Sequence, residues 1–119
     1  MELHETILTK LAIADDAYYE AVLSGERINV AESQLDPKTH ALVRLGALVA
    51  SDALAPGYMW AVERARRHGA SDNQIVGCLI AVLPAVGLAN VVSAAPRLAL
   101  ALGYDVTAAL EDPGPLARD

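Results

Sequence analysis

From Asn73 to Pro96 the chain carries no Asp, Glu, Lys, Arg or His. The segment reads NQIVGCLIAVLPAVGLANVVSAAP, and a helix that is apolar all round has to be buried. Two destinations suit such a run. A transmembrane helix needs about 20 predominantly apolar residues, whereas a buried helical pair needs two shorter pieces. The interruptions decide between them. Gly77, Pro84, Gly87, Asn90, Ser93 and Pro96 all fall inside the run. A proline within a helix removes a backbone donor and clashes with the carbonyl four residues earlier. The sequence therefore predicts a break at Pro84 into two helices of about 10–12 residues, each too short to cross a bilayer. Two such helices overfill the core of one small domain, so the surplus apolar surface predicts self-association and no membrane partner.

At 119 residues the chain reads as a single domain, 1–119. Hydrophobic residues make up 54% of it but aromatics only 4%, with no Phe, so the excess is Ala, Val and Leu. Side chains this small let helices approach closely, and they point to an all-α bundle whose core continues across a homo-oligomer. Nothing alternates as a half-buried strand requires. The net charge of −6 opposes a nucleic-acid partner, which needs a basic surface. The one basic cluster, Arg64, Arg66, Arg67 and His68 beside Glu63, reads as a solvated helix face. Cys78 is the only cysteine, which excludes an intramolecular disulfide and any paired-thiol motif. Inside an apolar run it reads as an inert buried thiol. The N-terminal MELHE has no basic region leading into an apolar stretch, so no signal peptide and a cytoplasmic location are expected.

Taken in order, residues 3–13 space Leu3, Ile7, Leu11 and Ile13 as a first helix. Asp15 or Asp16 can cap a second, AYYEAVLS, that ends before Gly25. Residues 25–35 mix charges and turn formers and read as a surface connection. Leu35-Asp36-Pro37 is the clearest start signal, an N-cap aspartate followed by proline at the first helical position. The helix it opens runs to about Asp52, with Ala41, Leu42, Leu45, Leu48, Val49 and Asp52 on one side and His40, Arg44, Ala47 and Ser51 on the other. After a break at 53–57, residues 57–68 form an amphipathic helix. Tyr58, Ala61, Val62 and Ala65 are its inner stripe; Trp60, Glu63, Arg64 and Arg67 lie outside. Gly69 caps its end, and Ser71 to Gln74 is a capping box ahead of the uncharged run. Arg97 to Leu102 continues a helix to Gly103. Asp105 or Thr107 can cap a last short turn near Glu111, and 112–119 is a tail.

The residues LDPKTHALVRLGALVA (Leu35–Ala50) and VERARRHGASDNQIVGCLIAVLPAVG (Val62–Gly87) resemble the carboxymuconolactone decarboxylase family, which shares a helical fold with the alkylhydroperoxidase D-like proteins. The likeness covers residues 33–103. It implies a bundle of about six helices, a trimer or hexamer, and a cofactor-independent decarboxylase acting on a small carboxylated or lactone substrate. The redox branch of the family carries a C-x-x-C pair and a following histidine, where this chain reads ALAPGYMWA. Disulfide chemistry needs two thiols within reach, so a peroxidase is excluded. The family's histidine falls on Ala61 and its glutamate on Ala41, and neither position can relay a proton. The alternative function is a catalytically inactive small-molecule-binding or assembly module of the same fold.

Lactone decarboxylation needs an acid or base at the carbon that is protonated, and donors for the carboxylates. Asp52 lies on the apolar side of its helix, either as an acid whose pKa burial would raise or as an exposed helix-end carboxylate. Tyr58 opens the next helix on its inner stripe, as a pocket hydroxyl or a core tyrosine. Arg44 and His40, one turn apart, can clamp a carboxylate or simply meet solvent. Trp60, on a charged face, suits a subunit contact. Asn90 is the strong hydrogen-bonding side chain deep in the uncharged run, packed or lining a pocket. That pocket is expected near Tyr58, Ala61 and the 75–90 helices. No metal is expected, because His4, His40 and His68 are scattered without ligand spacing.

Overall fold

The computed structural model describes residues 1–106. Among them are seven α-helices and no strand: α1 (Leu3–Ala12), α2 (Asp16–Leu23), α3 (Glu26–Ser33), α4 (Pro37–Ala50), α5 (Ala55–Arg67), α6 (Asp72–Val86) and α7 (Leu88–Leu102). The described residues are all-α. The expected turn and tail beyond residue 106 lie outside the described residues. The chain divides into two compact units, Met1–Pro37 and the residues from Lys38 onward.

In the first unit, α1 closes over Ala14, whose φ of 55° lets the Asp15 amide donate back to Lys10 at 3.0 Å. Asp15 then caps α2, its carboxylate accepting from the Tyr18 amide at 2.9 Å. The stretch 25–35, expected as a surface connection, instead contains α3. Its charges and Gly25 mimic a loop, but contacts to α2 fix it as a helix. The Asn29 amide donates to the Val22 carbonyl at 2.8 Å and the Tyr18 hydroxyl to Glu32 at 3.0 Å. No residue of α1, α2 or α3 is buried.

The second unit holds the core. Leu45 and Val49 of α4, Tyr58, Val62 and Ala65 of α5, Ile75 of α6 and Leu98 of α7 are at most 1% exposed. Each fully buried Leu, Ile or Val contributes roughly 1.5–3 kcal/mol of transfer free energy. The stripe of Tyr58, Ala61, Val62 and Ala65 read from the spacing is therefore the inner face of α5. Two residues assigned to outer faces are inside. His40 is 4% and Arg64 6% exposed, with Arg64 Nη2 2.9 Å from His40 Nδ1. A guanidinium can only donate, so Nδ1 accepts and the imidazole proton sits on Nε2. Hydrophobic periodicity could not show this, because the two polar groups satisfy each other across helices.

The break in the uncharged run is not at Pro84. Helix α6 continues through it to Val86, and Gly87 makes the reversal with φ 90° and ψ 160°. Likewise α7 runs unbroken through Pro96. The carbonyls opposed by these prolines belong to Ile80 and Val92, which are 71% and 61% exposed. Each lost bond thus falls on a solvent-facing side, where bending is tolerated. Both helices have 15 residues, longer than the broken run implied. No helix of the described residues is long and apolar enough to cross a membrane.

Three helix ends of the second unit close with the same left-handed step as α1. Ala53 donates to the Leu48 carbonyl over Asp52 (φ 52°), Ala70 to Ala65 over Gly69 (φ 89°), and Tyr104 to Ala99 over Gly103 (φ 92°). Ser71 and Gln74 form the expected capping box at α6, with bonds of 3.1 and 3.0 Å. Arg66 joins α5, α6 and α7 by a forked pair of bonds to Asp72 at 3.0 and 3.1 Å and a third to the Leu102 carbonyl.

Candidate functional site

The closing turn of α4 sets the site. An aspartate occupies the left-handed position that glycine usually takes, a place that Asp and Asn tolerate better than other side chains. Asp52 Oδ1 accepts from Ser93 Oγ at 3.0 Å and from Arg97 Nη1 at 2.9 Å. The same Nη1 donates to the Ala53 carbonyl at 2.9 Å, and Asn90 Nδ2 lies 3.5 Å from the Ala50 carbonyl. Asn90, Ser93 and Arg97 are spaced i, i+3, i+7, so they form one polar stripe on an otherwise apolar helix. That stripe is laid against the α4–α5 turn.

Tyr58, in the first turn of α5, is 0% exposed, and its hydroxyl has no hydrogen-bond partner. Burial raises its pKa above the ordinary phenol value; the Arg97 charge opposes that rise and the Asp52 charge adds to it. The hydroxyl is therefore a neutral donor at physiological pH. A buried polar group left unpaired is destabilising by about 1–3 kcal/mol. Tyr58→Phe keeps the ring and removes the orphan, so it is expected to stabilise the free protein by about 1 kcal/mol in denaturant melts. A loss of that size would mean that the hydroxyl is partnered in solution.

The structure ties Asp52 to Ser93 and Arg97, which the sequence reading missed as site residues, and bonds Asn90, one turn before Ser93 on α7, to the Ala50 carbonyl; the charges of Arg97 and Asp52 act on the Tyr58 hydroxyl. The signal for Ser93 and Arg97 was available: three polar side chains at helical spacing at the end of a charge-free run. Asp52 is exposed and engaged with a cation, not buried among apolar groups. The others lie apart from the cluster. Trp60 is 51% exposed and has the Arg64 guanidinium 5.7 Å from its ring centroid. Arg44 is half-buried, and His40 turns inward to Arg64. Ala61 is 4% exposed, a core methyl rather than a pocket wall.

Two apolar hollows flank α6. One, of about 450 Å³, lies between α4 and α6 and is lined by Leu42, Val43, Ala47, Cys78, Val82 and Val86 among others. There Gly46 allows the helices to close, since a Cβ on it would stand 3.1 Å from Val82 Cγ1. The second, of about 330 Å³, is lined by Val76, Leu79, Leu98 and Tyr104 with neighbours on α7. Tyr58 and Ala61 line neither. Burial pushes the Cys78 thiol up, and its Sγ lies 3.7 Å from the Leu42 carbonyl, so it is no thiolate nucleophile. Among the described residues no group of three or more His, Cys, Asp or Glu could hold a metal ion. Comparison with protein-family models, with curated proteins and with solved structures finds no match.

Chemically, the cluster offers a partly open guanidinium, a buried neutral donor, an amide and a carboxylate already bound to the cation. That set can recognise a small anion. It holds no carboxylate or imidazole free to move a proton.

Proposed function

We propose that this chain is a carboxymuconolactone decarboxylase-like helical protein, with the alkylhydroperoxidase D-like fold and a homo-oligomeric assembly, that binds a small carboxylated or lactone molecule. The observation that supports it is the Tyr58 hydroxyl, buried without a partner and subject to the Arg97 charge. Such a group is unfavourable in a purely structural position and becomes favourable when a polar ligand atom reaches it. Alanine at positions 41 and 61, and the engagement of Asp52 by Arg97, favour binding over turnover.

Native mass spectrometry of the purified protein tests this function. A small molecule retained by the wild type and lost in Tyr58→Phe is the expected result. Retention by both proteins would dissociate the hydroxyl from the ligand. A lactone decarboxylation assay separates the two activities: turnover that falls in Tyr58→Phe and Asp52→Asn would replace a binding protein by an enzyme.

Assembly is supported by the apolar surface left on the second unit. Leu54, Ile80, Leu88 and Val92 are each more than 60% exposed, and Trp60 stands beside Met59 on the outer side of α5. Aromatic side chains are enriched in the cores of interfaces. Trp60→Ala is expected to weaken the oligomer by about 2 kcal/mol or more, which is at least about thirtyfold in the association constant. Sedimentation velocity over a dilution series reads this directly, and an unchanged distribution would place the interface elsewhere.

A further inference from the structure

The first unit has a groove of its own. Helices α1 and α3 both pack on α2 and not on each other. A hollow of about 580 Å³ lies between them, walled by Leu3, Ile7 and Leu8 on one side and by Glu32, Ser33 and Gln34 on the other. A second hollow of about 220 Å³ shares Ile7, Glu32 and Ser33 with it and carries the groove on to Leu11 and Val22. The apolar wall therefore follows α1 from Leu3 to Leu11, about 12 Å at a rise of about 1.5 Å per residue. It is open to solvent, with Leu3 57% and Leu8 62% exposed.

The charge of this unit is one-sided. Residues 1–37 carry eight Asp or Glu against Lys10 and Arg27, a net −6, whereas residues 38–119 carry seven acids and seven Lys or Arg. The whole excess charge of the chain is thus in the unit that holds the groove. Glu32, half-buried in the wall, has no ion-pair partner among the described residues. Its Oε2 accepts from the Tyr18 hydroxyl at 3.0 Å, which leaves Oε1 uncommitted. No basic residue falls in the last turn of α3, and the Lys10 ammonium lies over the Tyr18 ring, 5.1 Å from its centroid.

We infer that the α1–α3 groove is a docking site for a cationic amphipathic helix of a partner protein. Such a helix seats apolar side chains spaced i, i+4 and i+7, a span of about 10 Å that the wall from Leu3 to Leu11 accommodates. A lysine or arginine on the flank of that helix pairs with Glu32 through its uncommitted oxygen. The net charge speeds the encounter with a basic segment, and it repels both a second copy of this unit and an anionic lipid surface. The openness of the groove selects a helix over a small amine, because a small ligand is held where 70–90% or more of its surface is buried. The inference draws on no residue of the second unit and is independent of the small-molecule-binding function above.

Fluorescence anisotropy with the full chain tests this, using a labelled helical peptide of about 14 residues with leucine on one face and lysine on the other. The wild type is expected to bind it with a Kd of about 10 μM or tighter at low salt. Leu8→Lys, at an exposed position of the wall, should weaken binding at least about tenfold. Leu23→Lys makes the same change of charge on α2, 79% exposed and outside the groove, and should weaken it less than about threefold. Glu32→Gln keeps an acceptor for the Tyr18 hydroxyl and should cost about fivefold, against less than about twofold for Glu20→Gln, which lies off the groove. Circular dichroism checks that each variant keeps its helices. Equal losses on and off the groove would mean diffuse attraction to an acidic surface and refute the site. A peptide of scrambled order, without an apolar face, that binds equally well would refute the helix. Octylammonium binding as tightly as the peptide, and losing as much in Glu32→Gln, would give the groove to small amines instead. Absence of peptide binding by the wild type would overturn the inference outright and leave the Tyr58 site untouched.

Discussion

Replacing Leu45 by alanine is expected to destabilise the protein by about 2–5 kcal/mol, the largest effect of any single truncation proposed here. Leu45 is 0% exposed, on the face of α4 that carries Ala41 and Val49, and it belongs to the cluster that includes Tyr58, Ala61 and Ile75. The cost has two parts, the lost burial of the removed carbons and the cavity left behind. The second part is expected to be large. Helices spaced by alanines already stand close, so their backbones have little room to collapse into the hole. A fall in Tm of at least about 8 °C should follow, measured at one protein concentration because the proposed assembly would add to stability. A control sharpens the result. Leu88 is 70% exposed, and Leu88→Ala should change the melt by less than about 0.5 kcal/mol unless Leu88 lies in the proposed interface. A loss below 1 kcal/mol for Leu45→Ala would mean that the core is not packed as described.

The second large effect belongs to Gly87. Its φ of 90° with ψ of 160° is a combination that residues with a Cβ scarcely populate, and it forms the corner between α6 and α7. A Cβ placed there would meet nothing within 4 Å, so any penalty for alanine is conformational and not steric. Gly87→Ala is expected to destabilise by about 1–3 kcal/mol. Gly77 provides the opposite sign from the same empty surroundings. It too has nothing within 4 Å of an added Cβ, but it sits inside α6, where alanine is the better helix former. Gly77→Ala should therefore stabilise by about 0.5–1 kcal/mol. Equal effects at both glycines would contradict the assignment of the corner to Gly87.

These two positions show where local rules stopped being sufficient. Proline was read as the breaker of the uncharged run because it removes a donor. The donor lost at Pro84 bears on the exposed Ile80 carbonyl, and the chain turns three residues later. Both sites contain a helix-disfavouring residue, and only Gly87 can take the backbone angles that the corner requires. The stretch 25–35 failed for another reason. Its composition is that of a loop, and bonds from Tyr18 and Asn29 hold it as α3.

The candidate site was legible in part. Tyr58 was visible because it continues a 3.6-residue stripe, Asp52 because it ends a helix on the apolar side, and Asn90 because it is polar inside an apolar run. Arg97 passed as a helix continuation. Its role depends on Asp52, 45 residues away in sequence, and no periodicity encodes that distance. His40 and Arg64 were misplaced for the same reason. Each looks like a surface residue until a polar partner 24 residues distant removes the cost of burying it.

By itself the sequence determined that the second unit is helical, where α4 and α6 begin, that no redox cysteine pair exists, and that more apolar surface is made than one small core can hide. Those properties are set by neighbours within a turn or two of helix, or by composition alone. The tertiary structure decided which polar groups are inside, where the uncharged run turns, and that Asp52, Ser93 and Arg97 share one corner. The physical reason is that pairing energies between groups far apart along the chain outweigh local preference by a few kcal/mol, and only the packed helices bring such groups within hydrogen-bond distance.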